Sequence, residues 1–161
     1  MDLGISFPDA FATPTASRLL LREPLHAVLP HTHPLARARR VKVRDFETER
    51  FLIVPRDQAP LLHDAVVRRC AGAGFAPRIA LEVYLQQTIV NLVAEDLGVA
   101  FVPASMQRAQ VKGAAFRRMD DPPEVDQVAL WQPDNANPCL SGFLSICDSL
   151  DPPMGVAAQP L

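Results

Sequence analysis

Short apolar runs that end at proline or glycine alternate with stretches of helical spacing through the middle of the chain. The runs at 51–54, 78–84 and 99–102 have the length and composition of strands. Between them, residues 60–73 and 85–97 place apolar side chains three or four positions apart, which predicts helices. Strands that alternate with helices predict an α/β fold with a parallel or mixed sheet and helices on its faces.

The flanking parts of the chain predict shorter elements. A strand is expected at 2–7, and a loop follows it to residue 17. Two extended segments, 18–22 and 25–29, are separated by Pro24, so a bent or edge passage is expected there rather than one central strand. The remaining predicted elements are an extended piece at 41–43, a helical turn at 44–49, a short helix at 104–109, strands at 115–118 and 127–132, a helix at about 138–150 and a frayed tail at 151–161.

Composition restricts the class of protein. The chain has 161 residues, of which 48% are hydrophobic and 21% charged, and this suits one ordinary domain or two small lobes. The formal net charge of −2 gives no general attraction for nucleic acid or for acidic membranes. A basic run at 37–44 has no helix-turn-helix pattern around it and indicates a solvated connection. The sequence predicts neither a membrane span nor an export signal.

Candidate catalytic and metal-binding residues are isolated. His31 and His33 have no third ligand at a fixed spacing, so no metal site is predicted. His63 and Asp64 have no serine or cysteine nucleophile at a recognisable turn, so no catalytic residues and no cofactor are predicted. The three cysteines form no CxxC pair, which predicts free thiols in a reducing, cytoplasmic environment; they are Cys70, Cys139 and Cys147.

The ends of three predicted strands carry polar residues. In open α/β sheets, ligands bind at the carboxyl ends of the strands, where helix N-termini favour anions. Arg56 follows the first of these strands, and Gln86, Gln87 and Thr88 follow the second. These side chains are candidate ligand donors, although each is also compatible with a polar cap at the start of a helix.

Five segments occur in an order and spacing that resemble one known family. They are LREPLHAVLPHTHPLA at 21–36, FLIVPR at 51–56, AGFAP at 73–77, IVNLVA at 89–94 and LGVAFVPASM at 97–106. Together they resemble the effector domain of LysR-type transcriptional regulators, from about residue 2 to about residue 148. The family usually has LVAAGLGV where this chain has LVAEDLGV, so the departure concerns the turn after the second helix.

The resemblance implies a fold similar to type 2 periplasmic binding proteins, with two lobes and an effector in the cleft between them. It implies that 1–20 end the first half of lobe I, 21–102 form lobe II, and 103–150 return to lobe I. Lobe I is then incomplete, and the helix-turn-helix lies outside this chain. We therefore expect weak or absent effector binding by the chain itself. DNA would be contacted only through the absent domain, no membrane would be involved, and the full-length protein would form a homo-oligomer.

The resemblance also implies the effector site. Arg56 would neutralise an anionic effector, such as a carboxylate or an aromatic acid, and Gln87 would donate a hydrogen bond. Val128 or Leu130 would form an apolar wall from the returning strand. The complete set of predicted effector-binding residues is Pro55, Arg56, Gln87, Pro103, Val128 and Leu130. The alternatives are a solute-binding protein of a transport system with the same fold and an enzyme on the same scaffold.

Overall fold

The computed structural model describes residues 3–8 and 16–149, and all structural statements below concern these residues. The strands are β1 (Gly4–Ser6), β2 (Ala16–Pro30), β3 (Arg40–Val41), β4 (Arg50–Ile53), β5 (Arg78–Glu82), β6 (Ala100–Pro103), β7 (Ala114–Met119) and β8 (Glu124–Trp131). The α-helices are α1 (Pro60–Gly72), α2 (Gln86–Ala94) and α3 (Cys139–Ser149). Short 3-10 helices lie at Pro34–Arg37, Val43–Phe46 and Ala104–Ala109. The fold is α/β with mixed strand pairing, as the sequence pattern predicts.

The described residues divide into two compact units. The first draws on Met1–Arg22 and Asp126–Leu161, and the second is Glu23–Val125. The division predicted from the sequence differs, because it grouped 103–125 with the first lobe. The difference arises because β7 pairs with β2 and β3, and strand pairing between distant segments is not visible in a local pattern.

In the first unit, β8 pairs with β1 and is followed by α3. The two strands run antiparallel, with Gly4 opposite Leu130 and Ser6 opposite Val128. The guanidinium of Arg22 donates to both carboxylate oxygens of Asp126, at 2.5 and 2.8 Å. This bidentate ion pair joins the first-unit part of β2 to β8.

In the second unit, β2 lies between β6 and β7 and is antiparallel to each. β3 runs parallel to β7, and β4 runs parallel to β5. A parallel bridge between Phe51 and Val99 places the entrance of β6 beside β4. The carboxyl ends of β4, β5 and β6 therefore meet at one edge of the second unit.

The expectation of a bent or edge passage at Pro24 is wrong. β2 is continuous from Ala16 to Pro30, and its second half has a partner strand on each side. Its pairs with β6 begin at Leu25, and its pairs with β7 begin at His26. Pro24 precedes both ladders, so its missing amide hydrogen removes no bond from either of them.

Aromatic rings fill the core of the second unit. Phe101 packs edge-on against Phe46 and Phe51, with ring centroids 5.3 and 5.2 Å apart. Helix α1 buries Leu62, Val66 and Cys70 of its predicted apolar stripe, and His63 beside them. Helix α2 buries Ile89, Val90 and Val93, whereas Leu85 and Leu97, which its spacing assigned to the buried stripe, are exposed. In the described residues, no helix is both long and apolar enough to cross a membrane.

Helix α2 ends three residues before the predicted position. The left-handed residue after it is Asp96, with φ of 62°, and the Leu97 amide donates to the Leu92 carbonyl at 3.2 Å. Gly98 allows a close approach of two backbone segments, since a Cβ there would lie 2.4 Å from the Arg50 carbonyl oxygen. The turn is therefore kept although Glu95-Asp96 stands where the family usually has Ala-Gly. Asp96 adopts the left-handed conformation that glycine most often adopts after a helix.

Candidate functional site

Three loops of the second unit begin at the carboxyl ends of its parallel strands. Pro55 and Arg56 follow β4, residues 83–87 lead from β5 into α2, and Pro103–Ser105 lead from β6 into the 104–109 helix. We call these segments the strand-end rim. Four of the predicted effector residues lie on it, so the structure brings Pro55, Arg56, Gln87 and Pro103 to one edge of the second unit.

Arg56 is the exposed cation of the rim. Its Nε and Nη2 donate to the two carboxylate oxygens of Asp64 at 2.8 and 3.0 Å, and 69% of its side chain is exposed. The hydrogen bonds to Asp64 raise the pKa of Arg56, and those from Arg56 lower the pKa of Asp64. Asp64, which lies on α1, thus orients the guanidinium of Arg56, and Nη1 of Arg56 takes no part in this ion pair.

The start of α2 supplies the amide side chains of the rim. Gln87 is exposed, and its Nε2 donates to Asn91 Oδ1 at 3.5 Å. Gln86 is less exposed, and its buried Oε1 has no hydrogen-bond partner among the described residues. The residue before the helix, Leu85, offers no side-chain cap to the first amides of α2. These groups can donate to, or accept from, a polar ligand.

The start of the 104–109 helix is already occupied by a carboxylate. Glu23 is 5% exposed, and its oxygens accept from the Ser105 amide at 2.8 Å and from the Ser105 hydroxyl at 3.1 Å. Sequence reasoning did not single out this pair, although Glu23 belongs to the EPL motif that carried the family resemblance. Pro55 and Pro103 of the rim are buried.

The remaining two predicted residues belong to the first unit. Val128 and Leu130 lie on β8, opposite Ser6 and Gly4 of β1. Their side chains are buried, at 6% and 3% exposed. Their role as an apolar wall stays a prediction.

The histidines take part in ordinary structural contacts. His63 is buried, and its Nδ1 donates to the Val54 carbonyl at 2.9 Å, which holds α1 against the end of β4. His33 Nδ1 accepts from the Leu35 amide at 3.1 Å. Across residues 3–8 and 16–149, no group of three or more His, Cys, Asp or Glu side chains is placed to hold a metal ion.

Comparison with known proteins identifies a family. Residues 1–150 match the family described as the LysR substrate binding domain. The chain is 35% identical over 135 residues to the HTH-type transcriptional regulator IlvR of Caulobacter vibrioides, covering 81% of this chain and 44% of that protein. It is 28% identical over 147 residues to AlsR of Bacillus subtilis, covering 91% and 49% respectively. The chain thus spans about half the length of these curated relatives.

Solved structures show the same fold. The LysR family regulator CbnR superimposes with a TM-score of 0.81 at 20% identity, covering 92% of this chain and 52% of that chain. The effector binding domain of a BenM variant gives a TM-score of 0.76 at 22% identity, covering 92% and 70%. These likenesses establish a fold similar to type 2 periplasmic binding proteins, as the sequence resemblance implied.

Proposed function

This chain belongs to the LysR substrate-binding domain family, and we propose on that premise that it is the effector-sensing part of a transcriptional regulator. The observation that carries the proposal is the family match over residues 1–150. The strand-end rim supports it, because ligands of open α/β folds bind where parallel strands end. The curated relatives described above are transcriptional regulators, which agrees with the expectation that the chain is not an enzyme.

We propose that the effector is a small carboxylate or aromatic acid. Arg56 supports an anion, because its guanidinium is exposed and Asp64 engages only two of its three nitrogens. Gln87 would add a neutral donor, and the buried rings of Pro55 and Pro103 would add apolar surface. Glu23 would repel a second negative charge at the start of the 104–109 helix, because its carboxylate already accepts the Ser105 donors.

The proposed effector would act by changing the population of two arrangements of the regulator. Such a switch requires that the effector bind one arrangement more tightly than the other.

DNA contact would come from a helix-turn-helix outside this chain, as the name of the relative IlvR indicates for that protein. A cytoplasmic location follows from this role and is part of the proposal. The alternative, a solute-binding protein of a transport system, has no support from the relatives described.

Chemical-shift mapping of this chain tests the ligand class. Since the sequence predicts weak binding, benzoate and succinate would be titrated to millimolar concentration against the ¹⁵N-labelled chain, with neutral benzyl alcohol as a third probe. We expect benzoate or succinate to shift the amides of Arg56 and of residues 84–88, and benzyl alcohol to have a much smaller effect. Loss of one charge-assisted hydrogen bond in Arg56→Gln should weaken binding by roughly tenfold or more.

Arg39→Gln is the matched control, because Arg39 is an exposed arginine outside the strand-end rim and outside α1. It should leave the affinity within roughly twofold of the parent, as expected for a surface change away from the ligand. Equal effects of the two substitutions, or shifts that avoid the rim, would remove Arg56 from the site. Tighter binding of benzyl alcohol than of benzoate would remove the anionic class altogether.

We propose that the partner of the second unit is another copy of the same protein. All five residues of β5 are exposed, including Ile79 at 43% and Leu81 at 41%. Among the described residues β5 pairs only with β4, so one edge remains for a further strand or helix. The sedimentation of the Leu81→Lys and Arg78→Lys variants, compared with that of the parent chain, tests whether β5 mediates self-association. Self-association should weaken in the first variant and persist in the second, and equal behaviour would contradict the proposal.

A further inference from the structure

A cavity lies in the second unit, between the 104–109 helix and β7. Its volume is about 610 Å³, within the range of small-molecule sites. Nine residues line it: Ala104, Gln107, Arg108, Gln110, Val111, Ala114, Ala115, Phe116 and Arg117. Ala104 also belongs to the strand-end rim, whereas Arg56, Gln86 and Gln87 do not line this cavity.

The charge of the lining has one sign. Arg108 and Arg117 contribute positive charge, and none of the nine lining residues is acidic. Arg117 donates to the backbone carbonyls of Phe116 and Ala36, so its charge is held by neutral groups. Its Nε is buried and has no hydrogen-bond partner in the part of the chain that the structure describes. A cation without a carboxylate partner attracts an anion from solution.

The neighbouring side chains add to the positive potential. His26 lies opposite Arg118 across β2 and β7. Burial, and next the charge of Arg118, lower the pKa of His26, although Gln107 of the cavity lining and then Glu23 act in the opposite direction. Arg118 therefore adds positive charge beside the β7 segment that lines the cavity.

The apolar and backbone features define the rest of the ligand. Phe116, Val111 and three alanines give the cavity apolar surface, while Gln107 and Gln110 supply neutral donors and acceptors. Gln110 has a left-handed backbone, with φ of 47°, and ends the 104–109 helix at the cavity.

We propose that this cavity binds a small organic anion with an apolar part, at a site separate from the strand-end rim. Arg108 and Arg117 hold the anionic group, and Phe116 and Val111 contact the apolar part. Phosphate esters and carboxylates share the anionic chemistry, so the probes must distinguish the two. The site goes beyond the proposed effector function and does not depend on it.

The test maps where small anions bind on the ¹⁵N-labelled chain. Phenyl phosphate, benzoate, inorganic phosphate and neutral phenol are titrated separately. We expect phenyl phosphate or benzoate to shift the amides of 107–111 and 114–117, and phenol to shift them far less. A stronger response to phenyl phosphate assigns a phosphate ester, and a stronger response to benzoate assigns a carboxylate. Inorganic phosphate should bind more weakly than phenyl phosphate, because it lacks the apolar part.

Arg108→Gln is the decisive variant, since Arg108 is exposed and its replacement leaves the packing of β7 intact. Its affinity should fall roughly tenfold or more, as expected for one charge-assisted hydrogen bond. Arg39→Gln, another exposed arginine, is the matched control and should bind like the parent. Equal weakening in the two variants, or no shifts at 107–117, would overturn the proposal. Shifts at 84–88 alone would support the rim and reject this second site.

Discussion

The buried carboxylate of Glu23 accepts two hydrogen bonds from Ser105, a residue 82 positions later in the chain. The Ser105 amide lies 2.8 Å from one carboxylate oxygen and the hydroxyl lies 3.1 Å from the other. This contact joins β2 to the start of the 104–109 helix. Burial of a polar group costs free energy unless the group is hydrogen-bonded, so the pair is expected to stabilise the second unit.

Ser105→Ala should lower the free energy of unfolding by about 1–2 kcal/mol, because it removes one hydrogen bond to a charged, buried acceptor. Glu23→Ala should cost more, since the Ser105 amide and hydroxyl then lose their acceptor. Urea denaturation followed by circular dichroism measures both changes. Ser17→Ala, at an exposed position of β2, is the control and should stay within about 0.5 kcal/mol of the parent. A Ser105→Ala chain as stable as this control would contradict the assigned contact.

Asp96→Gly should raise the free energy of unfolding by about 0.5–1 kcal/mol. Asp96 has a φ of 62°, a conformation that glycine adopts without the Cβ penalty of other residues. Thermal unfolding of the variant should therefore occur at a higher temperature. Gly98→Ala is the contrasting variant and should be destabilising, because its Cβ would lie 2.4 Å from the Arg50 carbonyl oxygen. If both substitutions lowered the melting temperature, the backbone conformation assigned to Asp96 would be incorrect.

Stability should decrease as the pH falls through the titration range of His26. Burial, and next the charge of Arg118, lower the pKa of His26 from its usual 6.5 in the folded chain. Below 6.5 the unfolded state therefore binds more protons than the folded state, so the free energy of unfolding falls until the folded pKa is passed. Urea midpoints at about pH 7.5 and about pH 5.5 measure the slope. His26→Gln should reduce the slope, and an unchanged slope would assign the pH dependence to other groups.

The three thiols should differ in reactivity. Cys70 is fully buried, and burial raises its pKa to about 11, so little thiolate forms at neutral pH. Cys139 is exposed at the start of α3, and Cys147 is partly exposed. A disulfide reagent such as DTNB should react rapidly with Cys139, more slowly with Cys147, and with Cys70 only after denaturation. Reaction of Cys70 in the native chain at the rate of Cys139 would mean that α1 does not pack as described.

The local pattern predicted the elements well because their signals are local. The spacing of apolar residues predicted α1 within a residue of its bounds. The prediction failed at Pro24, where the consequence of a missing amide hydrogen depends on which strands lie alongside. It also placed the end of α2 too late, because a left-handed aspartate is not a recognisable stop signal in sequence.

The sequence by itself determined the class of fold, the family, and the positions of the residues that follow each strand, because these depend on periodicity and on short ordered motifs. Tertiary structure alone decided how those residues are used. It paired Arg56 with Asp64 and Glu23 with Ser105, and it placed residues 103–125 with the second unit. Such contacts join segments through strand pairing and side-chain reach in three dimensions, and no period in the chain encodes them.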